Sequence, residues 1–414
     1  MTDVRPGRGP LTVKPSLWVV LALLAAGAIR VGEMGVRFAV AYPLATTTAV
    51  VLFALFAVPF WLFLAELDFL EREPIKLRVV AFAWGGLVAT AVSIPGTAAL
   101  ENLVAKLGSP GLAAVWGAAL AGPTVEEIAK TLGIVAIVLI ARAQVNSVLD
   151  GVVYGALVGL GFQIVEDVVF AVGAVALAGQ GDHVQPVVAT FLLRGFLSGV
   201  WSHTLFGALA GAGLGYLVVR NDRPRRIRAG VAALCVAGAW ASHVLWNSPL
   251  FGDGLGNGAL ALLAVLVFKG LPPLLLILWL VRRAHDREAD FYTAKLATLD
   301  DPALITAGEL AVLRSGSSRS AARWHAGLSA GHRARSGVRR LQRAQARLAV
   351  ELSRGAPTGH RCEEIRAQRG ILIGLGHPEA VTGDFSWRRL ASTAGTATLA
   401  VAVVWAALTA LGGA

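Results

Sequence analysis

Apolar residues run along this chain in blocks of about 15–30, separated by short polar breaks, and a membrane-spanning helix needs about 20 mostly apolar residues. The blocks predict spans near 16–30, 43–65, 79–100, 124–141, 148–176, 199–219, 229–247, 258–281 and 390–412. Two shorter apolar pieces, 111–121 and 187–198, read as interfacial or re-entrant segments, or as extensions of tilted helices. The pattern changes once, over 283–389, where polar and basic residues dominate and only stretches such as 336–355 keep a helical period. The predicted fold is all-α: a polytopic helical membrane protein of about nine transmembrane helices, with a polar helical insert before the last span. The predicted domains are a core over 1–282, an Arg-rich region over 283–389 and a C-terminal helix over 390–414.

Composition agrees. Of 414 residues 56% are hydrophobic and only 15% charged, with a mean hydropathy of +0.65; soluble domains carry about 25% charged residues. The start could mimic a signal peptide, but no small-x-small cleavage site precedes the next span, so it reads as a retained first helix. The net charge of +11 is mostly arginine and sits in a few loops and one tail. Such clustering reports topology and attraction to anionic lipid rather than nucleic-acid binding. Arg5, Arg8 and Lys14 place the N-terminus inside; single crossings then put 220–228 and 283–389 inside as well. The loops 179–185 and 247–258, outside on this map, carry no Lys or Arg. The two cysteines, Cys235 and Cys362, have no metal-finger or disulfide-framework spacing.

Four spans break their apolar pattern. Glu126, Glu127 and Lys130 interrupt "AGPTVEEIAKTLGIVAIVLIARA" (121–143); Glu166 and Asp167 follow Phe162; His203 opens one span; His243 and Asn247 close another. Each ionisable group costs roughly 2.5–3.5 kcal/mol near a bilayer centre on insertion scales. Counted from the inner end of its own helix, each cluster lies roughly 22–26 Å up, close to the outer face of a core about 30 Å thick. Taken singly, His203 and His243 read as core histidines, Lys130 as a counter-ion and Asp150 as a helix cap. The alignment of four clusters at one level is what points to chemistry. Glu126 and Lys130 are spaced as an i,i+4 ion pair. Glycines at four-residue spacing (Gly151, Gly155, Gly159; Gly207, Gly211, Gly215) would let two of the helices approach closely.

Two imidazoles and several carboxylates make a hydrolytic kit. In one reading Glu166, His203 and His243 bind a divalent metal, zinc by the donor set, and Glu126 or Glu127 is the general base. In another a glutamate activates water directly, with His and Asn247 as acid and oxyanion donors. No HExxH is present. The GxGD string at 179–182 falls in a polar loop rather than a buried helix, and the Glu-Glu at 363–364 sits in a soluble basic stretch. A proton- or ion-coupled transporter is the alternative function, since buried Glu/His chains also carry protons; a scaffold that has lost catalysis is a third.

Together, "EEIAK" (126–130), "DGVVYGALVGLGFQIVED" (150–167), "WSHTLFGALAGAGLGY" (201–216) and "SHVLWN" (242–247) resemble the PrsW family of intramembrane proteases, distantly similar to the CAAX prenyl endopeptidase superfamily. The resemblance covers about 120–250. It implies catalytic roles for Glu126, Glu127, Glu166 and His203, places His243 and Asn247 in the last motif, and implies a metalloprotease-like activity. It further implies a bacterial plasma membrane and a membrane-anchored protein substrate, of which an anti-sigma factor cut on its extracytoplasmic side is the founding type. Lys130 and Glu166 stand where a CAAX-type enzyme has Arg, one position later, and His, which argues against a prenyl-protein substrate. Phe170 stands where the founding pattern has Tyr. The Arg-rich insert and ninth span have no assigned counterpart.

Overall fold

The computed structural model describes residues 15–67, 70, 73–197, 202–251 and 264–382. They are helical, with no strand among them, and divide into two compact units between Glu288 and Ala289. The expected last span, 390–412, and the basic residues Arg5, Arg8 and Lys14 lie outside the described residues.

The first unit contains α1 (Pro15–Ala41), α2 (Pro43–Leu67), α3 (Ile75–Ala83), α4 (Thr90–Leu107), α5 (Pro110–Ala141), α6 (Val148–Ala178), the short α7 (Gln185–Thr190), α8 (Ser202–Val219) and α9 (Arg225–Asn247). A π-helical turn, Trp84–Ala89, joins α3 to α4 into one continuous helix, and a second, Phe191–Leu197, continues α7. Among the described residues six helices are long and apolar enough to cross a membrane: α1, α2, the joined α3–α4, α6, α8 and α9. α5 has the length, 32 residues, but carries the three ionisable groups. The expected short piece 111–121 is the N-terminal part of α5, which starts at the Ser109 cap and the Pro110 that follows it. The piece 187–198 is instead a separate segment made of α7 and its π turn, as far as residue 197.

α6 is the centre of this unit. It begins with a reciprocal cap between Ser147 and Asp150 and ends on Gly179 in the left-handed conformation. Its glycine face lies directly on that of α8, running the opposite way. A Cβ at Gly155 would fall 2.1 Å from the Gly207 carbonyl oxygen, and one at Gly159 2.0 Å from that of His203. Backbones this close leave no room for any side chain. On another face, a Cβ at Gly161 would meet the Phe82 carbonyl oxygen at 1.9 Å, so α3 is seated with equal tightness. Trp84 in the π turn donates its indole N–H to the Ala129 carbonyl (3.0 Å) and lies over Gly133, which ties α5 to the same core. The basic ends also serve structure: Arg142 donates to the Val218 carbonyl (2.8 Å) and Arg228 to that of Leu217 (3.1 Å), near the C-terminus of α8. In the same loop Arg220 binds Asp222 through two nitrogens, both at 2.6 Å, and holds that exposed carboxyl well below its usual range.

Asp182 of the GxGD string caps α2, accepting from the Leu44 and Ala45 amides at 2.7 and 2.9 Å. A third π turn, Leu266–Gly270, leads into α10 (Leu271–Ala297), which runs through the division between the units.

The second unit holds α11 (Ala307–Leu313), α12 (Gly316–Ser353) and α13 (Gly359–Gly374). The Gly/Ser content of 314–321 suggests a flexible joint, but from Gly316 onward this stretch is the start of α12. Ser315 caps it, and buried Arg319 donates to the Leu313 carbonyl (2.7 Å), so hydrogen bonding overrides composition here. α12 kinks at Ala330–Gly331, where Gly331 has φ +80°. The core of the unit is organised around buried Glu309, which accepts from Arg369 (2.7 Å), Gln345 (2.8 Å) and the Ala380 amide (3.1 Å).

Candidate active site

Four helices of the first unit converge on one buried polar centre. α5 supplies Glu126, Glu127 and Lys130; α6 supplies Glu166 and Asp167; α8 supplies His203 from its first turn; α9 supplies His243 and Asn247 from its last turns. Glu126, Glu127, Lys130, His203 and His243 are all buried. The glycine contact between α6 and α8 is what brings Glu166 and His203 together, since Gly159 abuts the His203 backbone itself.

The two glutamates on α5 have different surroundings. Glu127 Oε1 receives Lys130 Nζ at 2.5 Å and His243 Nδ1 at 2.8 Å. The spacing favours a Glu126–Lys130 pair, but that separation is 4.0 Å; His243 helps fix Glu127 where Lys130 prefers it. Glu126 Oε2 is buried and accepts no hydrogen bond among the described residues. Around it stand His243 Nε2 at 3.8 Å, His203 Nδ1 at 3.9 Å and Lys130 Nζ at 4.0 Å.

Each imidazole has its far nitrogen on a carboxylate: His203 Nε2 lies 2.9 Å from Glu166 Oε2, and His243 Nδ1 on Glu127. With those nitrogens protonated, the lone pairs of His203 Nδ1 and His243 Nε2 face Glu126. Carboxylates behind imidazoles are the usual support of metal-ligating histidines, fixing tautomer and ring plane. Stacking holds the rings further. Phe206 lies over His243 with centroids 4.9 Å apart and Phe162 packs against His203 at 5.0 Å, while Lys130 sits 4.7 Å over Phe162.

A divalent ion fits this centre. Glu126, His203 and His243 each present one ligand atom, all within 4.8 Å of one another. Ligands in a tetrahedral zinc site stand about 3.3 Å apart, so the three must draw inward and Lys130 Nζ, 3.0 Å from His203 Nδ1, must withdraw; the orphaned Glu126 oxygen then gains a partner. Glu166, grouped with the two histidines on sequence grounds, sits behind His203 and is shared with Arg194 at 2.6 Å. Asn247 Nδ2 lies 3.3 Å from His243 Nε2 at the exposed end of α9.

Two basic residues at the site carry no motif. Arg194, in the π turn after α7, binds Glu166 and Asp167 and covers Phe170, its guanidinium carbon 4.1 Å from the ring centroid. Buried Lys269 donates to the Ser248 carbonyl (2.5 Å), next to Asn247 at the end of α9. A lone cation inside each apolar run was the available signal.

These features define a multi-pass helical membrane protein with a carboxylate–imidazole centre buried among its spans. The model of the PrsW family intramembrane metalloproteases matches residues 73–283, just over half of the chain and all of the centre, and the chain belongs to that family. No curated protein and no solved structure matches it.

Proposed function

We propose that this protein is an intramembrane endopeptidase that hydrolyses a peptide bond of a membrane-anchored protein near the extracytoplasmic face of a bacterial plasma membrane. The observation that carries the reading is Glu126 Oε2: a buried carboxylate oxygen without a hydrogen bond among the described residues, faced by two imidazole nitrogens whose opposite nitrogens are held by Glu166 and Glu127. Glu126, His203 and His243 would hold a divalent ion, zinc by their N,N,O donor set. When bound, such an ion polarises the scissile carbonyl and lowers the pKa of its water to about 7.

The protein's own groups do the rest. Lys130 fixes Glu127, and Glu127 fixes the ring of His243. Glu166 does the same for His203. Asn247 donates from the rim to the carbonyl oxygen as it gains charge. Burial of the centre limits water to the molecule being used.

One contact favours a second reading, in which Glu126 itself takes the proton of the attacking water without a metal. Lys130 Nζ lies 3.0 Å from His203 Nδ1, so a cation already engages one of the two facing nitrogens.

In this proposal the core is 1–282, the 283–389 region is cytoplasmic, and the substrate class includes anti-sigma factors cut in a first, site-1-type step. Family membership does not favour the ion-coupled transporter alternative. The test is mapping of new protein termini in membranes of cells carrying wild-type protein or Glu126→Gln at matched expression. Fragments of single-span proteins, cut just outside the membrane and absent from the variant, are the expected result. Identical fragment lists, at rest and under envelope stress, would remove the protease reading.

A further inference from the structure

The contacts of Arg194 reach further than a surface ion pair. Its Nη2 lies 2.6 Å from Glu166 Oε2 and its Nε 2.5 Å from Asp167 Oδ1. The same Glu166 oxygen receives His203 Nε2 at 2.9 Å. One carboxylate oxygen thus stands between the guanidinium and the imidazole. Glu166 and Asp167 are consecutive on α6, so their side chains leave the helix about 100° apart. A planar fork with donors on separate nitrogens spans that angle; a point charge does not. Phe170, one turn on, supports the guanidinium face.

We propose that Arg194 is a positioning residue for the centre: it locks the Glu166 carboxylate toward His203 Nε2, and so keeps His203 Nδ1 facing Glu126. The inference rests on the reading of Glu126, His203 and His243 as the ion-holding set. The segment carrying Arg194 has independent anchors. Val187 is buried in an apolar cluster with Ala45, Phe53 and Val172, and the Phe191 ring sits 5.3 Å from Phe53 and 6.1 Å from Phe56. Its placement against α2 and α6 therefore does not rest on the arginine alone, and the stability that Arg194→Gln loses by unpairing two carboxylates is read separately from orientation. The side chains of Arg194 and Glu166 keep 25% and 18% exposure, against 5% or less for Glu127, Lys130, His203 and His243. Arg194 is thus the part of the relay nearest the exterior.

The test is zinc binding by the full-length protein in lipid nanodiscs, by competition with a chromophoric chelator, alongside thermal unfolding and the ¹⁵N spectrum of labelled histidines, with His203 assigned through His203→Gln. Arg194→Gln is expected to weaken zinc binding about 10–100-fold, the range for losing a supporting partner, and Arg194→Lys to restore it only in part. Asp167→Asn, which leaves the Arg194–Glu166 contact intact, is expected to stay near wild type. The Arg194→Gln/Asp167→Asn pair removes one charge of each sign and separates the alternatives. If Arg194 only neutralised the acids, the pair would recover wild-type zinc affinity; under positioning it recovers stability and not affinity. Unchanged affinity in Arg194→Gln, or full recovery in the pair, overturns the proposal. If wild-type protein takes up no zinc, the metal reading falls and the histidine spectrum decides on Arg194. A single Nε2–H tautomer of His203 that becomes a mixture in Arg194→Gln supports positioning; the same spectrum in both overturns it.

Discussion

Glu127 Oε1 lies 2.8 Å from His243 Nδ1, while the opposite nitrogen of that ring, Nε2, faces Glu126 Oε2 at 3.8 Å. One imidazole therefore separates two adjacent carboxylates into a supported one and an open one. Glu126→Gln and Glu127→Gln should fail differently. Glu126→Gln is expected to abolish cleavage with little loss of stability, because it removes a buried charge whose Oε2 accepts no hydrogen bond. Glu127→Gln should lose cleavage and also about 3 kcal/mol of stability, because it removes the carboxylate charge that Lys130 pairs with at 2.5 Å inside the protein. Unfolding in detergent, read beside fragment production, checks both; equal stability of the two variants would contradict the assignment.

Metal removal separates the two hydrolytic readings. Treatment with a membrane-permeant chelator should abolish cleavage, and zinc should restore it, with about one equivalent bound per chain. Full activity at less than about a tenth of an equivalent would leave Glu126 acting on water directly.

Asp182 tests what the GxGD string is for. As the cap of α2 it should be dispensable for cleavage, and Asp182→Ala should cost about 1 kcal/mol through loss of two amide partners. Complete loss of cleavage with unchanged stability would instead assign it chemistry.

The α6–α8 contact makes a graded prediction. Gly155→Val should cost about 3 kcal/mol or more, since even a Cβ there would stand 2.1 Å from the Gly207 oxygen. Gly173→Ala, on the same helix with nothing within 4 Å of the added carbon, should change stability by no more than about 1 kcal/mol. Thermal unfolding in one detergent compares the two.

In the second unit, burial pushes the His377 imidazole below its ordinary pKa and neighbouring His325 adds to the effect. Its Nδ1 meets Ser329 Oγ at 3.3 Å beside the α12 kink, and its Nε2 is buried with no hydrogen-bond partner among the described residues. Because the folded state holds the neutral ring, its contribution is present above the ordinary value of about 6.5 and is lost as pH falls below it toward the folded pKa. Hydrogen exchange at 325–331 and 371–382 should quicken over that fall, and His377→Gln should flatten the response. A flat profile in wild-type protein would refute the assignment.

Much of the centre was legible because buried charge is costly in an apolar helix and so stands out. Glu126, Glu127, Lys130, Glu166, His203 and His243 each break a long hydrophobic run, and counting along their helices puts them at one level. Partner choice was not legible. Helical spacing pairs Lys130 with Glu126, whereas His243, distant in sequence, draws the pair to Glu127. Arg194 stayed hidden for a different reason: its apolar segment is too short to register as a span, and a π turn shifts its register. The start of α12 misled in the opposite direction, since Ser315 and Arg319 use the composition of a linker to begin a helix.

The glycine contact between α6 and α8 carries a mechanical consequence. Where the two helices touch through glycine they cannot slide past one another by exchanging rotamers, because those positions have no side chains to exchange. Glu166 and His203 therefore belong to a fixed stator. The other walls, α9 with His243 and the short segment with Arg194, are fastened to the centre by hydrogen bonds and ion pairs, contacts that break and re-form without repacking a backbone.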